Sequence, residues 1–212
     1  VTFFVCWFGY TTFARKKAKN TSCIARCLHT HRMYWMQTLL TRDLRVADAA
    51  LMANLERNIA FFASTTLLVL AGVLTLFSQV EQVAKVINSI PFAEEVTIVA
   101  IQVKLSLLAF IFVMAFFQFT WSMRQYGFLN VMVGAAPIDE TMSKEHLIAY
   151  AKQLGTVQDQ AGHAYNYGLR SYYFSLAIIS WFFHPLLFLL ASLMVVFTLY
   201  QREFNSKTLV AI

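Results

Sequence analysis

Ile59 to Phe77 reads IAFFASTTLLVLAGVLTLF, nineteen residues without a single charge. A membrane-spanning helix needs about 20 mostly apolar residues to cross a hydrocarbon core roughly 30 Å thick. This stretch is the clearest such span in the chain, and it decides the fold class. The composition agrees. Of 212 residues, 58% are hydrophobic and only 13% are charged, against roughly 25% charged in an average globular chain. Too few polar residues remain to solvate a disordered, collagenous or coiled-coil chain, or to coat a soluble domain of this size.

Working outward from residues 59–77, the region 20–58 carries neither Pro nor Gly. It reads as an amphipathic helix in the headgroup plane, with Met33, Trp35, Met36, Leu39 and Leu40 as apolar area and Arg26, Arg32, Arg42 and Arg45 as its charged side. Ahead of it, residues 1–13 are apolar but cover only about 20 Å as helix, so a first turn is expected before Val1. Arg15, Lys16, Lys17 and Lys19 follow that run. A secretory signal places its charges first, so residues 1–13 are expected to stay as an anchor. Beyond a connection holding Pro91, Glu94 and Glu95, a third span is expected over 105–121, with Lys104 at its mouth. A fourth is expected over 172–200, after a helix that starts near Ser143 and breaks near Gly155.

The sequence therefore predicts one all-α integral membrane domain over residues 1–212. It has four transmembrane helices (about 1–13, 59–77, 105–121 and 172–200) and cytoplasmic connections over about 14–58 and 122–171. With both ends outside, the connections hold 13 of the 17 basic residues; Lys85, Lys104, Arg202 and Lys207 stay outside. That asymmetry follows the positive-inside rule. It also explains the net charge of +6 without nucleic acid. Trp7, Tyr10, Trp121, Tyr126, the Tyr172–Tyr173 pair and Tyr200 fall near the expected interfaces, where amphipathic rings settle.

Three constellations bear on chemistry. Cys23, Cys27 and His31 recur every four residues, with His29 beside them. Thiolate and imidazole suit zinc or copper. On a straight helix, however, the outer pair stands about 12 Å apart, too far to share one ion, so no metal site is assigned. His184 lies mid-span in the fourth helix within Trp181-Phe182-Phe183-His184-Pro185. Pro185 frees the Trp181 carbonyl, and a neutral imidazole beside that kink would bond to the freed backbone or to a neighbouring helix. No second spanning His is present to oppose it across a haem, so no cofactor is expected. At the inner interface, Arg124 and Arg170 are expected to approach each other, with Asn166 on the Arg170 face, and to hold an anionic lipid headgroup. Two guanidinium groups need an anion between them, and Glu56 is the protein alternative. Ala60-x3-Ser64 and Ser171-x3-Ser175 offer small-residue faces for helix packing.

The stretches FFASTTLLVLAG (61–72), FTWSMRQYGFLNVMVGAAP (119–137) and YGLRSYYFSLAIISWFFHPLLFLLASLMVVFTLYQREFNS (167–206) resemble a bacterial inner-membrane family known only as domain of unknown function 599. The HRMYWMQTLLTRDLRVADAALMANLERN stretch (31–58) is similar to that family's first cytoplasmic connection. The matched positions include Arg124, Gln125, Gly134, Gly168, Arg170, Tyr172, Tyr173, His184 and Pro185; the Cys23 group is outside them. The resemblance implies a bacterial inner membrane and a four-helix all-α fold, and it brings no activity, cofactor or catalytic residue.

The spans hold no Asp or Glu, and no phosphate loop, nucleophile elbow or HExxH pattern occurs. The leading expectation is a non-enzymatic, self-associating membrane scaffold or interaction protein in contact with anionic headgroups. The alternative is a small transporter or lipid-handling protein built on Arg124, Arg170 and His184.

Overall fold

The computed structural model describes residues 5–90, 96–137 and 143–212. The first four residues of the expected anchor, and Pro91, Glu94 and Glu95 of the second connection, lie outside the described residues. A π-helical turn, Val5–Gly9, leads into α1 (Tyr10–Asn20). There follow α2 (Ile24–Leu40), α3 (Val46–Ser78), α4 (Val80–Asn88), α5 (Ile98–Gly134), α6 (Lys144–Trp181), α7 (Pro185–Phe204) and α8 (Lys207–Ala211). Among the described residues the chain is helical throughout, without strands. Three helical runs are long and apolar enough to cross a membrane: Val46–Ser78, Ile98–Gly134 and Pro185–Ala211.

The antiparallel pair α5 and α6 forms the axis of the molecule. Starting from the N-terminal half of α6, Tyr150 Oη donates to the Met132 carbonyl and Ser122 Oγ to that of Ala161. Further along, Phe112 packs edge-on against Tyr172, and Lys104 Nζ donates to the Trp181 carbonyl. α3 lies on α5, where Phe62 stacks on Phe119 at 5.5 Å. α3 also reaches α6, with Thr66 Oγ1 2.8 Å from Tyr172 Oη. Tyr172 thus belongs to an aromatic core with Phe62, Phe112 and Phe119, not to the interfacial belt expected of it.

α6 begins at the expected place, because the Ser143 hydroxyl caps it by accepting from the His146 amide. It does not break at Gly155. A glycine there costs about 1 kcal/mol of helix propensity against Ala, yet a Cβ would stand 2.5 Å from Met33 Sδ. Gly162 makes the same allowance for Arg32 Nη2 at 2.6 Å, and Gly168 for the Phe119 ring at 2.5 Å. The three glycines let α2 and α5 settle close onto α6.

The region 20–58 is not one helix. α2 ends at Leu40, and the helix containing residues 59–77 already starts at Val46. Asp48, fully buried, holds the corner by accepting from Trp35 Nε1 and Arg42 Nη1, each at 2.6 Å. Arg45 donates to the carbonyls of Val133, Ala136 and Pro137, capping the end of α5.

The largest correction concerns residues 172–200. The expected single span is two helices: α6 stops at Trp181, and α7 starts at Pro185 with extended His184 as its N-cap. A residue before proline is biased away from the helical region, and proline at the first helical position favours a new start. α7 then runs back along α6. Trp181 stacks on Phe188 at 4.9 Å, Arg202 donates to Tyr173 Oη at 2.7 Å, and Arg170 sits 3.8 Å from Glu203. The chain after α7 therefore returns to the end of the molecule where Arg170 lies. Arg202 and Lys207 join the other basic residues there, contrary to the expected opposite placement.

The small-residue face Ser171/Ser175 is buried within the chain. On α3 the buried stripe is Ile59, Ala63 and Thr66, with Ala60 half-buried and Ser64 exposed beside it.

Candidate functional site

α6 carries Asp159, His163, Asn166 and Arg170 at positions i, i+4, i+7 and i+11, a spacing that lines them along one helical face. On α5, Gln118, Trp121 and Gln125 share a face in the same way. Where these faces meet α1, α2 and the end of α7, they bound a cavity of about 710 Å³. α2 contributes Arg26 and His29, α7 contributes Glu203, and Ala14, Ala18, Ala25 and Ala164 keep the walls thin. Such a volume falls within the roughly 300–1,000 Å³ of small-molecule sites.

Asp159 organises one side. Its Oδ1 accepts from Arg32 Nη1 at 2.7 Å, while His29 Nδ1 and His163 Nε2 stand 3.1 and 3.3 Å from Oδ2. Arg32 reaches it across Gly162, where any side chain would collide with the guanidinium. Partial burial works to raise the Asp159 pKa. Hydrogen bonds from His163, Arg32 and His29 outweigh that effect and hold the carboxyl far below the usual carboxylate range.

Arg170 occupies the other side. Its guanidinium lies over the rings of Tyr10 and Tyr167, at 5.6 and 5.5 Å, with only 15% of the side chain exposed. Glu203 is its acidic neighbour at 3.8 Å, beyond hydrogen-bonding reach. Glu203 spends its other oxygen accepting from the Ala25 amide at 3.3 Å. Gln125 forms part of the α5 wall; it is 5% exposed, and its Oε1 is buried with no hydrogen-bond partner.

Of the residues expected from sequence, Asn166 and Arg170 both line the cavity, and Arg124 does not. Neighbouring positions on a helix point about 100° apart, so Gln125 faces inward. Arg124 is exposed, with its guanidinium 5.5 Å over Phe128. Glu56 is paired with Asn130 at 2.8 Å. His184 is exposed at the α6–α7 turn, beyond the far end of α6, and its Nδ1 accepts from the Leu186 amide at 3.1 Å. The carbonyl that Pro185 frees is taken by Lys104 and not by the imidazole. The three residues of the expected transport or lipid site are thus not gathered in one place.

Cys23 is buried at the N-cap of α2, Cys27 is half-buried, His29 joins Asp159 and His31 is exposed. No group of three or more potential metal ligands is gathered among the described residues. The sequence reading missed Gln125, Asp159, His163 and Glu203. The stripe from Asp159 to Arg170 was visible as helical periodicity, but its partners on α1, α2 and α7 were not.

A family model described as "protein of unknown function, DUF599" matches residues 1–208. No curated protein and no solved structure matches the chain.

Proposed function

We propose, on the premise that the chain belongs to the DUF599 family, that it is a multi-pass membrane protein that holds an anionic, phosphate-bearing ligand beside Arg170. Long apolar helices and sparse charge support the membrane setting. In this reading α3, α5 and α7 cross the bilayer, with the N-terminal segment and the second half of α6 beside them. The end rich in Lys and Arg faces the cytoplasm. The inner membrane of a bacterium is the setting the family resemblance implies.

One observation carries the ligand. The Arg170 guanidinium lies largely buried on a cavity wall and makes no hydrogen bond to the described residues. Its fork of N–H donors matches the oxygens of a phosphate or carboxylate. Trp121 and Tyr167 line the same cavity, amphipathic rings suited to the level where headgroups meet acyl chains. A binding role is therefore favoured over a purely structural scaffold.

Native mass spectrometry of protein released from nanodiscs tests this reading. Wild type is expected to retain phosphatidic acid over phosphatidylcholine. Arg170→Gln is expected to lose that preference, while Arg124→Gln, altered outside the cavity, keeps it. Equal retention by wild type and Arg170→Gln would sink the reading.

A further inference from the structure

Charge alone leaves part of the cavity wall unexplained. Gln118, Gln125, Gln160 and Asn166 all line it, and none is hydrogen-bonded to another described group. Gln160 and Asn166 are exposed and half-buried Gln118 has access to water, but Gln125 is 5% exposed with Oε1 buried and unpartnered, so a ligand pairs with it only once the side chain turns into the cavity. An acceptor left bare in that way is costly unless a ligand satisfies it. A fully ionised phosphate monoester cannot, because it carries no hydrogen to donate. The ligand must bring an O–H or N–H of its own.

The charges decide between these. Arg26 and Arg170 share the cavity with two acids: Asp159, held by Arg32 and two histidines, and Glu203, which accepts from the Ala25 amide and stands 3.8 Å from Arg170. An ammonium headgroup would have to compete with the Arg170 guanidinium for Glu203. A hydroxyl carries no charge, and it both donates and accepts, as a carboxamide does. Four carboxamides on two facing helices, with Trp121 and Tyr167 as flat apolar surfaces, present that pattern several times over.

Resting on the phosphate reading, we infer that the ligand is a phosphorylated polyol, either a sugar or polyol phosphate or a lipid headgroup of that chemistry. Gln125 selects its hydroxyl groups, and Arg170 holds its phosphate. The ligand enters from the cytoplasmic interface with the phosphate toward Arg170 and the hydroxyls toward the α5 wall.

Two matched pairs of probes test this on protein in phosphatidylcholine nanodiscs. The soluble pair is methyl phosphate and glucose 6-phosphate, measured by calorimetric titration. The lipid pair is phosphatidic acid and phosphatidylinositol, measured by native mass spectrometry. Within at least one pair, the polyol member is expected to bind about tenfold tighter, the equivalent of one well-placed hydrogen bond, and that pair identifies the source. Gln125→Leu is expected to abolish the advantage and leave methyl phosphate or phosphatidic acid binding unchanged. Asn166→Ala, on an exposed position that does not bear on folding, is expected to reduce the advantage in part. If neither pair discriminates while the phosphate members still bind and Arg170→Gln weakens them, the polyol inference is overturned and the phosphate reading stands. If no phosphate member binds, both fall. An advantage that survives in both Gln125→Leu and Asn166→Ala overturns the assignment to the carboxamide wall.

Discussion

Lys104 Nζ lies 2.8 Å from the Trp181 carbonyl oxygen, the acceptor that Pro185, lacking an N–H, leaves without a helical donor. The ammonium also lies over the Trp181 and Phe182 rings, at 5.3 and 5.7 Å, and Lys104 is only 6% exposed. A cation on α5 thus fastens the turn at which the chain doubles back. Lys104→Met keeps the side chain's length and apolar stem while removing the donor. It is expected to lower stability by about 1–3 kcal/mol, read as a lower thermal midpoint in detergent. An unchanged midpoint would show that the turn holds without it.

Gly168 faces the Phe119 ring, and an added Cβ would lie 2.5 Å from Cε1. Phe119 is fully buried among Phe62, Tyr165 and Tyr172, so the ring has no room to retreat. Gly168→Ala is expected to destabilise by about 1–3 kcal/mol through overpacking. Combining it with Phe119→Leu should recover part of the loss, since the smaller side chain yields the space. A double mutant no better than the sum of its parts would disprove the collision.

Asp159 titrates far below the usual carboxylate range when folded, against about 3.9 in an unfolded chain. A lowered folded pKa contributes stability that is fully present above the unfolded value and is lost as pH falls toward the folded one. Between pH of about 5 and about 3, wild type should lose more stability than Asp159→Asn. Chemical denaturation at several pH values, with parallel curves for the two proteins, would contradict this linkage.

The doubled-back α7 alters the expected threading. In a background with Cys6, Cys23 and Cys27 replaced, cysteines introduced at Asn205 and Thr38 should label from the same side of the membrane. One at exposed Gln82 on α4 should label from the other. Labelling of Asn205 and Gln82 from one side would restore a single long final span.

Much of this architecture is written locally in the sequence. Residues 59–77 announce their helix through an uncharged apolar run, and Ser143 marks the start of α6 through its hydroxyl. The turn at His184 was concealed because apolar residues continue on both sides of it. Hydropathy cannot distinguish one long helix from two antiparallel ones, and the pre-proline bias of His184 was the only local hint. Gly155 misled in the opposite direction, since its helix-breaking tendency is offset by a contact with Met33, 122 positions earlier. The cavity was half legible: Asn166 and Arg170 share a face by periodicity. That Gln125 turns inward while Arg124 turns out depends on where α6 lies, which no window of sequence around either residue contains.

The cavity also draws its walls from segments far apart in the sequence, with Ala14 and Ala18 on α1 and Glu203 on α7. In the proposed membrane setting, a chain inserted helix by helix during synthesis has no such enclosure until α7 has emerged and folded back against α6. Occupancy can therefore arise only after translation has passed Glu203. The proposed ligand would stabilise only chains folded that far, and would do nothing for copies truncated before Glu203.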